Sequence, residues 1–231
     1  MEYKFTGSNH PDHNKTPYNK GFLNYKNIHR GKTGILFAPG PSIKKYKSII
    51  DDTESVNLGL SWIFREKEIL KKLNYYFFGS GYHYVAGTYQ TSPEVDDYRE
   101  KINSIDSKVQ KFSSVYREGV PTGLGNITPE ASEEINAIPF DCQSPHGHQN
   151  FITDIDSYRI FGLSIIFPAL QFMLYTGLSK IYLAGVDADI GNLSQKWKQA
   201  KDFIDSSYSN TKIISINPVG LKGYFEDVYT D

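Results

Sequence analysis

Residues whose types and spacing suit chemistry gather in a few short clusters, each at the end of an apolar run. Ala38-Pro39-Gly40-Pro41-Ser42 closes the first run, Thr33 to Ala38. Gly40 lets backbone approach a ligand with no side chain between them, and free amides at a following helix start would face a phosphate. The same five residues also read as a Pro-Gly turn with Ser42 as a helix cap, and both readings stand at this level. Asp187-Ala188-Asp189 follows a second apolar run, KIYLAG. Two carboxylates on one loop can hold a divalent ion such as Mg²⁺ against a diphosphate, or simply be solvated. Asp187 alone, directly at the strand end, suits a ribose or substrate hydroxyl.

Three histidines are candidates for a general base: His146 and His148 in a long polar stretch near Cys142, and His83 just after Gly79-Ser80-Gly81. His10 and His13 form another close pair near the amino terminus. Neither pair has a third ligand at fitting spacing, so no metal site is assigned. Gly31-Lys32-Thr33 is not a phosphate-binding loop, because it precedes the strand and lacks the GxxxxGK[ST] frame. No G-x-S-x-G elbow is present, which removes the main sequence sign of a serine hydrolase.

These clusters need elements to hold them. Thr33 to Ala38, Ser55 to Gly59, Asn74 to Phe78, Val109 to Tyr116, Lys180 to Gly185 and Thr211 to Ile216 read as strands. Helices are expected from Ser61 to Leu73, Pro93 to Ile105, Ile160 to Tyr175 and Ser194 to Tyr208. Strands separated by helices imply crossovers and a Rossmann-like, mostly parallel α/β sheet covered on both faces. Ligands of such sheets bind at the carboxyl ends of the strands, which points to Pro39–Ser42, Asn57–Ser61, Gly79–Gly81 and Asp187–Asp189 as one rim. Residues 1–30 show no clear period and read as an irregular arm before a single domain over 31–231. Within that domain 117–158, rich in Gly, Pro, Asn and Ser, reads as a lid-like insertion.

Composition narrows the function classes. The chain has 231 residues, 39% hydrophobic and 22% charged, and a formal net charge of −1. It has apolar content enough for a core, and its overall balance draws it to neither nucleic acid nor an anionic surface. Any basic patch must be local. Cys142, the one cysteine, cannot form an internal disulfide, so a reducing cytoplasm is the expected setting. No apolar stretch of about 18 residues suggests a membrane span.

Four segments, FAPGPSIKKY, SVNLGLSWIF, YYFFGSGYHY and FGLSIIFPALQFMLYTGLSKIYLAGVDAD, together resemble bacterial sialyltransferases of the Campylobacter type. They also resemble the related motility-associated flagellin glycosyltransferase and MptE-like pyrophosphokinase domains. Order and spacing agree over Lys32 to Asp189, and INPVGLKGYF resembles the segment that closes the family domain. The resemblance implies a Rossmann-like glycosyltransferase with nucleotide contacts at Gly40, Pro41, Ser42 and Asn57. The serine of the family's small-residue helix maps near Ser164, and its third-strand asparagine falls near Gly79, next to Ser80. It further implies a CMP-sugar type donor, a glycan or small-molecule acceptor, and no required metal. The MptE-like branch would instead imply a Mg²⁺-dependent pyrophosphokinase using Asp187 and Asp189. Pro39 replaces the family's first-turn asparagine, and no histidine follows Asp187, where the sialyltransferase base is found. The base then comes from His146, His148 or His83, or the chain is a nucleotide-binding module without turnover.

Overall fold

The computed structural model describes residues 16, 18–48, 53–79, 83–85, 88–90, 100–114, 132–133, 135–143, 150–162, 164–187 and 193–229. Among the described residues ten strands lie in chain order: β1 Thr33–Phe37, β2 Val56–Leu60, β3 Tyr75–Phe78, β4 His83–Val85, β5 Thr88–Gln90, β6 Gln110–Ser114, β7 Ala137–Phe140, β8 Lys180–Ala184, β9 Lys212–Ile216 and β10 Glu226–Val228. Eight of them form one sheet in the order β10-β9-β8-β1-β2-β3-β6-β7, while β4 and β5 pair as a separate antiparallel hairpin. All pairings in the large sheet are parallel. The fold is thus the Rossmann-like α/β class that the alternation of apolar runs predicts. From β1 the chain builds outward through β2, β3, β6 and β7, then returns to place β8 on the other flank of β1. The order therefore reverses between β1 and β8.

Both faces of the sheet are covered, which explains why β1, β3 and β8 at its centre read as nearly unbroken apolar runs. Leu36 and Ala38 of the first run face a core shared with Leu58, Phe77, Phe112 and the helix α2, Ile166–Tyr175. Ile35 and Phe37 face the opposite core with Tyr46, Ile63, Ile69 and Tyr76. All ten residues of α2 are buried, so it is apolar all round. Its buried amide side chain, Gln171, donates from Nε2 to the Phe161 and Phe167 carbonyls at 3.2 and 3.1 Å. Its Oε1 accepts from the Ile152 amide at 3.2 Å. Satisfied in this way, the amide costs little to bury. The helix α3, Ser194–Ser207, is amphipathic as expected and buries Trp197, Ala200 and Ile204.

Several expectations are corrected. Residues 18–25 are no irregular arm: Tyr18–Tyr25 is a 3₁₀ helix whose Phe22 is fully buried. The Phe22 ring lies 5.4 Å from that of Phe112 and 5.6 Å from that of Phe172. The long helix expected from Ser61 is a 3₁₀ turn, Ser61–Arg65, followed by one turn of α1, Lys67–Leu70. α2 starts at Ile166 rather than Ile160, because Ile160 instead bridges in parallel to Cys142. β10 was not foreseen; it is a three-residue edge strand.

The lid expectation over 117–158 is also revised where it can be seen. Ala137–Phe140 is a strand of the main sheet, and Gln143 ties the segment after it to Asn150 and Arg159 through 2.8 and 2.9 Å hydrogen bonds to their carbonyls. Pro139 hid this strand, yet proline is tolerated on a sheet edge, where one side needs no donor. The 3₁₀ helix covers that edge, with Gly21 packed directly against Ile138. Residues 117–131, 134 and 144–149 lie outside the described residues. No helix among the described residues is long and apolar enough to cross a membrane.

Candidate functional site at the reversal of strand order

In open parallel sheets the crevice for a ligand lies where strand order reverses, outside the carboxyl ends. Here that place is framed by Ala38-Pro39-Gly40-Pro41-Ser42 after β1 and Gly185-Val186-Asp187 after β8. The two segments are stitched together. Ala38 N donates to Ala184 O at 2.8 Å and Gly40 N to Gly185 O at 2.9 Å, carrying the β1–β8 pairing past the strand ends. Ser42 N donates to Asp187 Oδ2 at 2.7 Å. Ile43 N donates to Gly40 O at 3.0 Å.

Glycine is required on both sides of this seam for different reasons. A Cβ on Gly40 would lie 2.6 Å from Asp187 Oδ2 and would also run into the Gly185 carbonyl. Gly185 holds φ at +72°, and a Cβ there would strike the Ala38 carbonyl oxygen. A left-handed turn and a backbone-to-backbone approach both forbid a side chain.

The seam overturns one expectation. Ala38, Gly40, Ser42 and Ile43 all spend their amides within the protein, and Pro39 and Pro41 have none. No backbone amide from 38 to 43 is left for a phosphate. Asp187 already serves as the anion at the start of the 3₁₀ helix Pro41–Ser48, much as a capping carboxylate does. The capping reading of the turn is therefore the observed one, with a distant aspartate rather than Ser42 as the cap.

Asn57 is the second correction. It is the second residue of β2, level with Ile35 in mid-β1, and not at the strand's carboxyl end. Its Nδ2 donates to the Lys72 carbonyl at 3.1 Å and its Oδ1 accepts from the Ser55 hydroxyl at 2.8 Å. These partners precede β3 and β2. The side chain is buried, faces the amino edge and does not join Gly40 and Asp187.

Other proposed residues fall in varied places. Gly79 ends β3 at the carboxyl edge, half-buried, and two strand spacings, about 10 Å, separate β3 from β1. Ser164 lies just before α2, where its carbonyl accepts the Phe167 amide at 3.0 Å. His83 opens β4 in the separate hairpin. Ser80, His146, His148 and Asp189 lie outside the described residues. No group of three or more His, Cys, Asp or Glu among the described residues is arranged to hold a metal ion. Cys142 is fully buried, and burial with the nearby Asp141 charge pushes its thiol well above the usual range, so it is an inert core residue.

The rim also contains residues that the sequence reading passed over. Ser61, directly after β2, has φ +42°, and Asn217, directly after β9, has φ +46°. Together with Gly185, three strand ends of the sheet therefore turn through left-handed backbone. For a serine that conformation is uncommon, and the Tyr76 hydroxyl holds it by donating to the Ser61 carbonyl. Trp62 follows, with the Arg65 guanidinium 4.5 Å above its ring. Lys44 and Lys45 are exposed on the helix that Asp187 caps. Within the seam itself two polar atoms, Asp187 Oδ1 and Ser42 Oγ, are buried without a hydrogen-bond partner among the described residues.

The chain matches no protein-family model and no curated protein. The chemistry of the rim thus rests on its own residues.

Proposed function

We propose that this chain is a glycosyltransferase-like enzyme that binds a nucleotide-sugar donor at the rim between β1 and β8 and transfers the sugar to an acceptor hydroxyl. The observation that carries the reading is the pair of unfilled buried atoms, Asp187 Oδ1 and Ser42 Oγ, at the reversal of strand order. A carboxylate oxygen only accepts, so it selects a donor such as a ribose or sugar hydroxyl. Because the turn's amides are spent, the phosphates are met by the ammonium groups of Lys44 and Lys45 instead. The base that takes the acceptor's proton is one of His83, His146 and His148. Asp187 and Asp189 supply the Mg²⁺ contacts if the donor is instead a nucleoside triphosphate, as in the pyrophosphokinase reading.

One observation favours a second reading, a nucleotide-binding or structural module without turnover. The turn's backbone amides are already bonded within the protein without a ligand.

A thermal-shift panel of CMP, UDP, GDP and ATP, with and without Mg²⁺, separates these readings. A ligand bound only by the folded state at 100 times its Kd stabilises by about 2.7 kcal/mol. Metal-free stabilisation by CMP, lost in Asp187→Ala, supports the glycosyltransferase reading. Stabilisation by ATP only with Mg²⁺ supports the pyrophosphokinase, and no shift with any nucleotide supports a structural module.

A further inference from the structure

Charge is unevenly spread along this chain. Residues 14–50 contain eight lysines and arginines and no aspartate or glutamate, in a chain whose net charge is −1. Part of this run, the stretch from Tyr18 to Lys32, is held rigidly on the domain. Phe22 is buried in the aromatic core. Asn19 accepts from the Asp141 amide at 2.7 Å and donates to the Tyr158 carbonyl at 2.7 Å. Asn27, His29 and Gly31 donate their amides to the carbonyls of Tyr175, Thr176 and Gly177 at 3.1, 2.9 and 3.0 Å, just past the end of α2. Tight turns bring Lys26 back to Leu23, Ile28 to Tyr25, Arg30 to Asn27 and Lys32 to His29.

The exposed residues of the stretch are Lys20, Leu23, Asn24, Lys26, Asn27, Ile28, Arg30, Gly31 and Lys32. Leu23 is 59% exposed and Ile28 46%, and they are two of only four large hydrophobic residues so exposed among the described residues. No carboxylate among the described residues forms an ion pair with the four cations. Lys26 instead sits over the Tyr175 ring, 5.5 Å from its centre, where Asp154 and Asp156 act on the hydroxyl.

We propose that the turn bearing Lys26, Ile28, Arg30 and Lys32, with Leu23 just before it, is a docking surface for an anionic lipid bilayer. Cations alone would fit any polyanion. Two exposed aliphatic side chains set among them gain nothing from a phosphate backbone, but they gain from entering the acyl boundary between anionic headgroups. Of the aromatics in the stretch, Phe22 is buried and Tyr18 and Tyr25 are half-buried, Tyr25 against Tyr75 and Phe112, so none stands out to stack on nucleic-acid bases. The turn also lies at the amino ends of β1 and β8, and the Gly40 rim lies beyond their carboxyl ends. Contact here leaves that rim open to water.

The test uses the full chain in co-sedimentation with vesicles of phosphatidylcholine, with and without phosphatidylserine. Binding is expected only to the serine-containing vesicles and is weakened by added salt. The double variant Lys26→Glu/Arg30→Glu lowers partitioning at least about tenfold, as opposed charges are removed from the surface. Leu23→Ser/Ile28→Ser lowers it by a smaller factor, and unchanged melting temperatures show that both variants fold. The proposal is overturned by absence of binding to phosphatidylserine vesicles, or by binding that both variants leave intact. It is equally overturned if heparin or duplex DNA competes fully while Leu23→Ser/Ile28→Ser binds vesicles like the parent chain.

Discussion

The aromatic core around Phe22 and the rim around Gly40 differ in how completely their interactions are closed. In the core, Phe22, Tyr25, Phe77, Phe112 and Phe172 stack and tilt against one another at centroid distances from 4.6 to 6.4 Å. Their energy comes from excluded water and dispersion, which has no direction and leaves nothing over. At the rim the backbone bonds are also made, but they are held by left-handed turns at Ser61, Gly185 and Asn217, and two buried polar atoms have no partner among the described residues. The difference teaches where stability and where binding reside. Core residues are interchangeable by volume, whereas rim residues are specified by single contacts.

The sharpest break of that comparison is Phe22→Ala. Removing a fully buried phenyl ring should cost about 3–5 kcal/mol, measured by urea unfolding. A loss below about 1 kcal/mol would mean that the 3₁₀ helix is an appendage and not part of the core. Gly185→Ala comes next, at about 3 kcal/mol, from a left-handed φ together with collision against the Ala38 carbonyl. If the variant melts like the parent chain, the seam between β1 and β8 is looser than described.

Asp187→Ala should cost much less, about 1 kcal/mol, which is the usual worth of a helix-capping side chain. Its diagnostic effect is on binding, since it removes the acceptor proposed for a ligand hydroxyl. A variant with intact stability and intact nucleotide response would detach Asp187 from the site. The smallest effect is in pH. His29 donates or accepts through Nε2 at 2.7 Å from the Tyr75 hydroxyl, and burial, aided by the Lys32 charge, holds its pKa below the usual 6.5. The folded state therefore binds fewer protons than the unfolded one, and stability should fall as pH drops through about 6.5 toward the lower folded value. Substituting His29→Gln should flatten that part of the stability profile, and an unchanged slope would assign the dependence to another group. Tyr75, pushed up to about 12 chiefly by burial, stays protonated throughout this range.

Legibility in the sequence followed the range of the interaction involved. β1, β3 and β8 were visible because burial on both faces leaves a nearly continuous apolar run, and β2, β6 and β9 as short segments with apolar residues beside turn and helix signals. α3 was visible because Trp197, Ala200 and Ile204 repeat at helical spacing. β7 was hidden by Pro139, and the 3₁₀ helix of Phe22 by its lack of a 3.6-residue period. Asn57 was assigned to the rim from its place near the end of an expected strand and from a matching motif. Where its side chain points is decided by Lys72 and Ser55, which no motif encodes.

The amino-acid sequence by itself determined the α/β class, the parallel order implied by its crossovers, and the glycines at 40 and 185 beside strand ends. Only the tertiary structure decided that the amide of Ser42 belongs to Asp187, 145 residues away, and that Phe22 fills the core. Periodicity records which face of an element meets water or core, so it can be read locally. The partner of a single polar atom depends on how distant segments meet, and that is settled only when the sheet closes β8 against β1.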